Sequence, residues 1–460
     1  MNPPSAIAIV LAAGLGTRMR SRQPKVLHPI CGRPMLAYAL DAARAATSAE
    51  PVVVISPATT AIRDAFDGQA RFAMQNEPRG TADALRAGLE GLDPDVTELL
   101  VVGGDTPFLS AATLTSLLAE RRTSSAAVAL LATRLAEPDG YGRIVRDASG
   151  RVTRIAEEKD ATADERAIDE VNAGVYAFDA AWARVRLGDV APSDASGELY
   201  LTELVRLAAE DGEGVAALSA EGDEAAGIND RIQLAAASAA MRWRILEGHM
   251  RAGVTIVDPA TTYVDATVTL APDVTIEPGV ILRGRTAVGA DTVVGPGSEV
   301  SDSVVGERCR VWASVLEGAE VEDDVQIGPY AHLRAGAVIG RGSRLGNFAE
   351  VKQSRLGPGV QQHHFSYVGD AEIGARVNIG AGTVTANYDG ARKHRTIVGE
   401  GAFIGSDSML VAPVEIGAGA MTAAGSVVTK DVPPGKLAIG VPARIREPKR
   451  QHPTPEEEPR

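Results

Sequence analysis

The sequence predicts two unlike folds in tandem: an α/β layer domain with a mostly parallel sheet, then a parallel β-helix of hexapeptide repeats. Three observations carry that expectation. Short β-branched runs alternate with helix-like stretches over the first half, the pattern of a buried parallel sheet flanked by helices. Over the second half an aliphatic residue recurs every six positions, a period that fits neither a helix nor a simple strand. The 460 residues also include 48 glycines and only 4% aromatics, so Val, Ile, Leu and Ala must fill the cores around many tight turns. At about 150 residues per domain, the length allows two or three folding units.

In the first half, Ile7–Leu11, Val52–Ile55 and Leu99–Val102 read as buried strands. Ala37–Ala46, Ala82–Leu89 and Leu114–Arg121 read as helices between them. The Ala-rich stretch Asp230–His249 reads as one helix joining two domains, with Trp243 on it as a packing residue. The expected division is a first domain at 1–229, a linker helix at 230–250, a β-helix at 251–446 and a disordered, charged, Pro-rich tail at 447–460.

The six-residue register runs Val264, Leu270, Ile276, Leu282, Val288, Val294, Val300, and resumes as Cys309, Val315, Val321, Ile327, Leu333, Ile339, Leu345, Val351. A third run is Val398, Ile404, Leu410, Ile416, Thr422, Val428. Glycine follows many of these positions, as in Ile327-Gly328 and Ile404-Gly405. Each repeat supplies one short strand and one turn stacked on the coil below. Cys309, in an aliphatic position, reads as a small buried hydrophobe rather than a reactive thiol. The register slips over 356–368, and the polar insertion Ala386–Thr396 interrupts it. Such insertions map to loops on one face of a solenoid, often the binding face.

Lys plus Arg number 46 against 60 Asp plus Glu, a net charge of −14, which argues against a nucleic-acid partner held through phosphates. Two cysteines with no zinc spacing suit a reducing compartment. No apolar run reaches the roughly 18 residues of a membrane span. The apolar start at Ala6–Ala13 lacks a charged n-region and a cleavage site. The expectation is a cytoplasmic protein with no membrane partner.

A first candidate site follows strand Ile7–Leu11, which runs into Ala12-Ala13-Gly14-Leu15-Gly16-Thr17-Arg18-Met19. Glycines there let backbone N–H groups approach a phosphate. Met19 removes the dinucleotide fingerprint, and no GxxxxGK[ST] occurs. Arg18 and Lys25 supply cations for departing phosphate oxygens. Asp105 follows Leu99–Val102 through Gly103-Gly104. It is either a Mg²⁺ ligand at a strand's C-terminal edge or a turn residue before Thr106-Pro107.

A second candidate site lies on the repeats. Arg334 and Lys352 follow Leu333 and Val351, where other repeats carry Gly, and stand three hexapeptides apart. Three strands per coil would stack them on one face, with no carboxylate alongside, as a phosphate site. Otherwise they are solvated surface charges. Nearby, His363-His364-Phe365-Ser366-Tyr367 offers a histidine for proton transfer from an amine or for packing.

LAAGLGTRM with Pro24-Lys25-Val26-Leu27 resembles the sugar-nucleotidyltransferase family. Gln75, Gly80-Thr81-Ala82, Gly103-Gly104-Asp105, Gly140-Tyr141-Gly142-Arg143, Glu157-Glu158-Lys159-Asp160, Asn172-Ala173-Gly174 and Gly227-Ile228-Asn229-Asp230-Arg231 follow in that family's order. With the repeats attached, residues 6–440 resemble the bifunctional family that joins uridylyl transfer to acetyl transfer. The resemblance implies a Rossmann-like first domain, a left-handed β-helix, a homotrimer, and a route from glucosamine-1-phosphate through N-acetylglucosamine-1-phosphate to UDP-N-acetylglucosamine. It implies that the Leu11, Ala12, Ala13 and Gly14 backbone with Arg18 and Lys25 holds UTP phosphates. Gln75, Gly80 and Thr81 would read uracil, Gly103 would contact the nucleotide or nucleotide sugar, and Asp105 and Asn229 would hold Mg²⁺. Gly142, Glu157 and Asn172 would contact the sugar. His364 would be the acetyl-transfer base, while Arg334, Lys352, Tyr367 and Asn378 hold glucosamine-1-phosphate. Ala381, Asn387, Tyr388, Ser406, Ala424 and Arg444 would line the acetyl-CoA site. Leu15 departs from the family, which often carries Lys there. The alternative is a monofunctional sugar-1-phosphate nucleotidyltransferase whose β-helix regulates or oligomerises.

Overall fold

The computed structural model describes residues 5–447 apart from 221–223 and 225. Most of the tail expected to be disordered, 448–460, lies outside the described residues. The chain divides into two compact units with the boundary between Met241 and Arg242.

Unit one is an α/β layer fold. Its elements are β1 (Ala6–Leu11), α1 (Met35–Thr47), β2 (Val52–Ile55), β3 (Arg71–Met74), α2 (Thr81–Leu89), β4 (Glu98–Gly103) and α3 (Ala111–Ser124). They continue with β5 (Val128–Arg134), β6 (Arg143–Arg146), β7 (Val152–Ala156), β8 (Glu170–Asp179) and β9 (Val215–Ser219). The sheet order is β9-β5-β8-β4-β1-β2-β3, and β6 pairs both β8 and β7. Along that path only β8 runs antiparallel, between β4 and β5. Central β1 shows why the run is apolar throughout: Ala8 and Val10 join one core cluster, Ile7 and Ile9 the other. Both faces are covered, so neither tolerates polar residues. Leu11 pairs with Gly103, so the loops after β1 and β4 leave the sheet side by side. Ligands bind at that edge of open α/β sheets.

The boundary falls within helix α4 (Arg231–Arg251). Trp243 is 54% exposed, which corrects the expectation of a packing residue: the helix turns that side chain outward within its own unit. No helix among the described residues is long and apolar enough to cross a membrane.

Unit two is a parallel β-helix of three sheets with 12, 10 and 9 short strands. Up to the last coil, each strand pairs with the one three further along, so three strands complete a coil, and an antiparallel hairpin ends the stack. The interior column of one sheet reads Leu282, Val300, Leu316, Leu333, Val351, Val368. The expected register is wrong at two positions. Val311 and Leu316 fill the interior, whereas Val315 is 37% exposed and Cys309 lies two residues before Val311. The steps from Val300 to Val305, from Val311 to Leu316 and from Leu316 to Val321 are five residues, not six.

Cys309 is still buried, in a second column of small residues two before each interior position. Ser303, Ser314, Ser343 and Ser354 are buried there. Their hydroxyls accept from the backbone N–H of Ala319, Ala331, Val360 and Ala371 on the next coil, at 2.9–3.1 Å. The column thus satisfies donors that a narrow solenoid would otherwise bury unpaired. The glycines after interior positions have a different cause. A Cβ on Gly340 would lie 2.6 Å from the carbonyl carbon of Gly357, and one on Gly289 2.7 Å from that of Gly306.

Candidate active sites

At the edge of the first sheet, the Lys25 ammonium is ion-paired with Asp105 and donates to Asn229 Oδ1 at 3.2 Å. Three residues far apart in sequence thus meet at one point. Gly16 makes this possible: it is left-handed at φ +60°, and a Cβ there would sit 2.5 Å from Lys25 Cβ. Gly103 leaves room for the Asp105 carboxylate, 2.6 Å from where its Cβ would stand. Gly104 N–H donates to Leu11 O at 3.0 Å, tying the Ala12–Gly14 loop to the Asp105 turn. Arg18 lies exposed on the short turn Thr17–Met19. Leu15 is exposed as well.

Gln75 is buried, and its amide donates to Gly80 O at 3.0 Å and Asp83 at 2.8 Å. The Thr81 hydroxyl accepts from Leu201 N–H at 2.8 Å, so it already serves the fold. Asn172 N–H donates to Gly142 O at 2.9 Å, and the Asn172 amide donates to the Tyr176 hydroxyl at 2.6 Å. Glu157 accepts from Thr202 Oγ1 at 2.7 Å and lines a cavity of about 220 Å³ with Asp160, Ser193 and Tyr200. Burial pushes its carboxyl above the ordinary range, against the Thr202 hydrogen bond. Tyr141, not singled out from sequence, bonds the Gly227 backbone and feels the Asp105 charge; burial raises its phenol. The motif GYGR that carries it was the available signal.

The fit of Mg²⁺ is decided by the donor set. A carboxylate and an amide oxygen that converge on one ammonium suit a hard cation, which also takes substrate phosphates. Among the described residues no cluster of three or more His, Cys, Asp or Glu could hold a metal alone.

On the β-helix, Leu333 pairs with Val351 and Val351 with Val368. Arg334, Lys352 and Gly369 therefore form one column on one face. Glycine at the third position leaves space that the Tyr367 hydroxyl fills, crowding where a Gly369 Cβ would stand. Two parts of the expectation need correction. Glu350 is alongside after all, with Oε1 3.0 Å from Arg334 Nη1. Apart from Gly369, the glycines also belong to the other two sheets; this one carries Arg283, Ser301 and Glu317 at the same offset. Strand neighbours at this face point outward, so side chains are the rule there.

The insertion, read from sequence only as a polar loop, supplies a third cation. Lys393 Nζ lies 3.9 Å from Asp370, whose carboxylate also accepts from the Asn387 amide. Lys393, then Arg334, hold the Lys352 ammonium below its ordinary range. Three cations crowded in this way suit a phosphate dianion.

A second column separates the two histidines. Leu345 pairs with Gln362, Ile379 with Ile404, and Ile404 with Thr422, while Gln361 pairs with Asn378. Two residues after these interior positions stand His364, Ala381, Ser406 and Ala424, in one vertical file. His363 falls one position earlier and bonds Gln361 Oε1 at 2.8 Å. Burial lowers its pKa first, then the charges of Arg344 and His364. Tyr388 is exposed, with its hydroxyl on Gly390 O at 2.6 Å. Arg444 is exposed in the terminal hairpin, opposite Ile439. Neither is brought into the file by a side-chain bond.

A glycine loop with cations at the edge of a Rossmann-like sheet, followed by hexapeptide coils with a histidine in a file of small residues, defines a nucleotidyltransferase fused to a hexapeptide acyltransferase. Residues 8–242 match the MobA-like NTP transferase domain, and 318–353 and 395–430 match the bacterial transferase hexapeptide repeats. "Bifunctional protein GlmU" of Trichlorobacter lovleyi is 47% identical over 94% of this chain and 95% of its own length. Its counterpart from Kineococcus radiotolerans is 48% identical over 95% and 90%, and that of Listeria monocytogenes 45% over 94% and 95%. The chain belongs to the bifunctional GlmU family, with its α/β domain and left-handed β-helix. It is a bifunctional transferase, which replaces the monofunctional alternative.

Proposed function

We propose that this enzyme acetylates glucosamine-1-phosphate from acetyl-CoA in its β-helix and transfers UMP from UTP to the product in its first domain. The observation that carries the reading is the file of His364 over Ala381, Ser406 and Ala424, near the Arg334–Lys352 column. The phosphate of the sugar is held by Arg334, Lys352 and Tyr367, with Asn378 beside the base. His364 accepts the proton as the amine nitrogen attacks the thioester carbonyl and the CoA thiolate departs. Small side chains in the file let the pantetheine lie against the coils, with Asn387, Tyr388 and Arg444 at its margin.

In the first domain, the sugar-phosphate oxygen attacks the α-phosphorus of UTP and pyrophosphate leaves. The attacking oxygen is already an anion, so no protein base is needed and positioning carries the step. Arg18, Lys25 and the Leu11–Gly14 backbone hold the phosphates; Gln75, Gly80 and Thr81 hold the uracil. Gly142, Glu157 and Asn172 hold the sugar. Mg²⁺ on Asp105 and Asn229, beside Gly103, would neutralise charge on the phosphates.

The same reading makes the protein a cytoplasmic homotrimer. Tyr330, Phe348 and Phe365 follow interior positions by three on successive coils and are 61%, 62% and 57% exposed, and Tyr330 stacks on Phe348 at 5.5 Å. An exposed aromatic file of this kind suits a neighbouring subunit; sedimentation of the pure protein tests it. The activities are tested by incubation with glucosamine-1-phosphate, acetyl-CoA, UTP and Mg²⁺, omitting one at a time. Residues 1–248 alone should keep uridylyl transfer and residues 251–460 acetyl transfer. Loss of both in both well-folded halves would overturn the two-site reading.

A further inference from the structure

The interior of the β-helix is aliphatic in its early coils and becomes polar in its later ones. From Val264 to Leu356 the interior positions are Val, Leu or Ile, but Gln362, Thr385 and Thr422 then interrupt them. Each threonine has a local use. Thr385 Oγ1 accepts from Gly369 N–H at 2.7 Å, and Thr422 Oγ1 from Gly405 N–H at 2.9 Å. Gln362 has none of comparable value to the fold. It is fully buried, and its Oε1 has no hydrogen-bond partner. A leucine there would continue the column and remove an unsatisfied carbonyl, which ordinarily costs stability. Departures of this kind from a fold's own pattern concentrate at functional positions.

Gln362 Nε2 donates to Ser366 Oγ at 2.9 Å, and Ser366 Oγ donates to His364 O, also at 2.9 Å. Three equivalent serines on other coils make the second bond in the same way, Ser303 to Ser301 O, Ser314 to Trp312 O and Ser354 to Lys352 O at 2.7–2.8 Å, whereas Ser343 donates to Gly357 O. What differs is the donor they accept. Ser303, Ser314 and Ser354 each take a backbone N–H from the next coil. For Ser366 the corresponding amide is Thr383 N–H, which donates to Gly380 O at 3.3 Å instead. The Gln362 side chain has taken its place.

We propose that Gln362 is a positioning residue for acetyl transfer, acting through Ser366 on the His364 backbone carbonyl. The chain Gln362–Ser366–His364 fixes the peptide after His364 from inside the coil, while the imidazole itself stays exposed on the outside. Two hydrogen bonds in series polarise one another. They brace a turn in which the Ser366 hydroxyl takes no amide from the next coil, although Gly382 N–H still donates to Phe365 O at 2.7 Å. The inference rests on His364 being the base.

Its test is that stability and rate move in opposite directions. Gln362→Leu and Gln362→Met in the full-length protein should melt higher than the unaltered enzyme, because the orphaned carbonyl is gone. Both should lower acetyl-transfer kcat about fivefold, the rate equivalent of one net hydrogen bond. KM for glucosamine-1-phosphate and uridylyl transfer should stay unchanged. Ser366→Ala should lower kcat similarly, and Gln362→Met with Ser366→Ala should be no slower than either alone. An unchanged kcat in the two Gln362 variants would overturn the proposal. So would a fall in melting temperature and kcat together, the mark of a purely structural role. If His364→Ala itself left acetyl transfer intact, the assignment of the base would fail instead.

Discussion

The two sites are assembled by opposite means. In the α/β unit, Lys25 meets Asp105 and Asn229 across separations of 80 and 204 residues, because strand ends from distant segments share one sheet edge. In the β-helix, Arg334 and Lys352 meet because one coil lies on the next. A folded sheet gathers a site from anywhere; a solenoid gathers it from multiples of its period, and from an insertion such as the one that brings Lys393. Damage to the first site should therefore remove a convergence that nothing local replaces. Damage to the second should be graded along the column.

The comparison predicts its largest effect at Asp105. Asp105→Ala should abolish Mg²⁺-dependent uridylyl transfer and leave acetyl transfer nearly unchanged, because acyl transfer to an amine needs no phosphate-bridging cation. Equal inhibition of both activities by EDTA would break the separation. Next comes His364→Ala, expected to lower acetyl-transfer kcat by ~10²–10⁴-fold with little change in KM. His363→Ala should be mild, since that ring lies outside the file; a crippled His363 variant would shift the register by one.

Arg334→Ala should then raise KM for glucosamine-1-phosphate by roughly 10- to 100-fold, the range of one charge-assisted hydrogen bond. Initial rates across sugar-phosphate concentration check it. Gly340→Ala should cost roughly 1–3 kcal/mol by overpacking, since its Cβ would press on the Gly357 backbone. Denaturant unfolding of residues 251–460 reads that loss, and uridylyl transfer should not follow it.

The smallest effect concerns Glu157. Burial raises its pKa in the folded protein, so its stabilising contribution is full below the unfolded value and lost as pH rises through the folded one. At neutral pH the buried carboxylate therefore costs stability. Glu157→Gln should melt slightly higher than the unaltered protein at pH 7, with the advantage shrinking toward pH 4. Melting curves at both pH values, beside a raised KM for N-acetylglucosamine-1-phosphate, would check it.

Much of this was legible in the sequence, for reasons that differ between the halves. Val52–Ile55 is a strand with the bounds expected of it, because burial on both faces leaves an unbroken apolar run. Arg334 over Lys352 followed from arithmetic, because a period of six with three strands per coil fixes which residues stack. Where a turn loses one residue, as between Val311 and Leu316, the arithmetic fails. The side chain on the inside then depends on which neighbour the coil below can pack.

The sequence by itself determined the two folds, the Gly loop with its cations, and the column positions wherever the period of six holds, since each depends on local pattern or on period. Tertiary structure alone decided that the Lys25 ammonium joins Asp105 and Asn229, that Glu350 and Lys393 crowd the phosphate column, and that Gln362 turns inward. Those contacts are between side chains far apart in sequence or across coils. Their partners are chosen by where the backbone brings them, which no local pattern encodes.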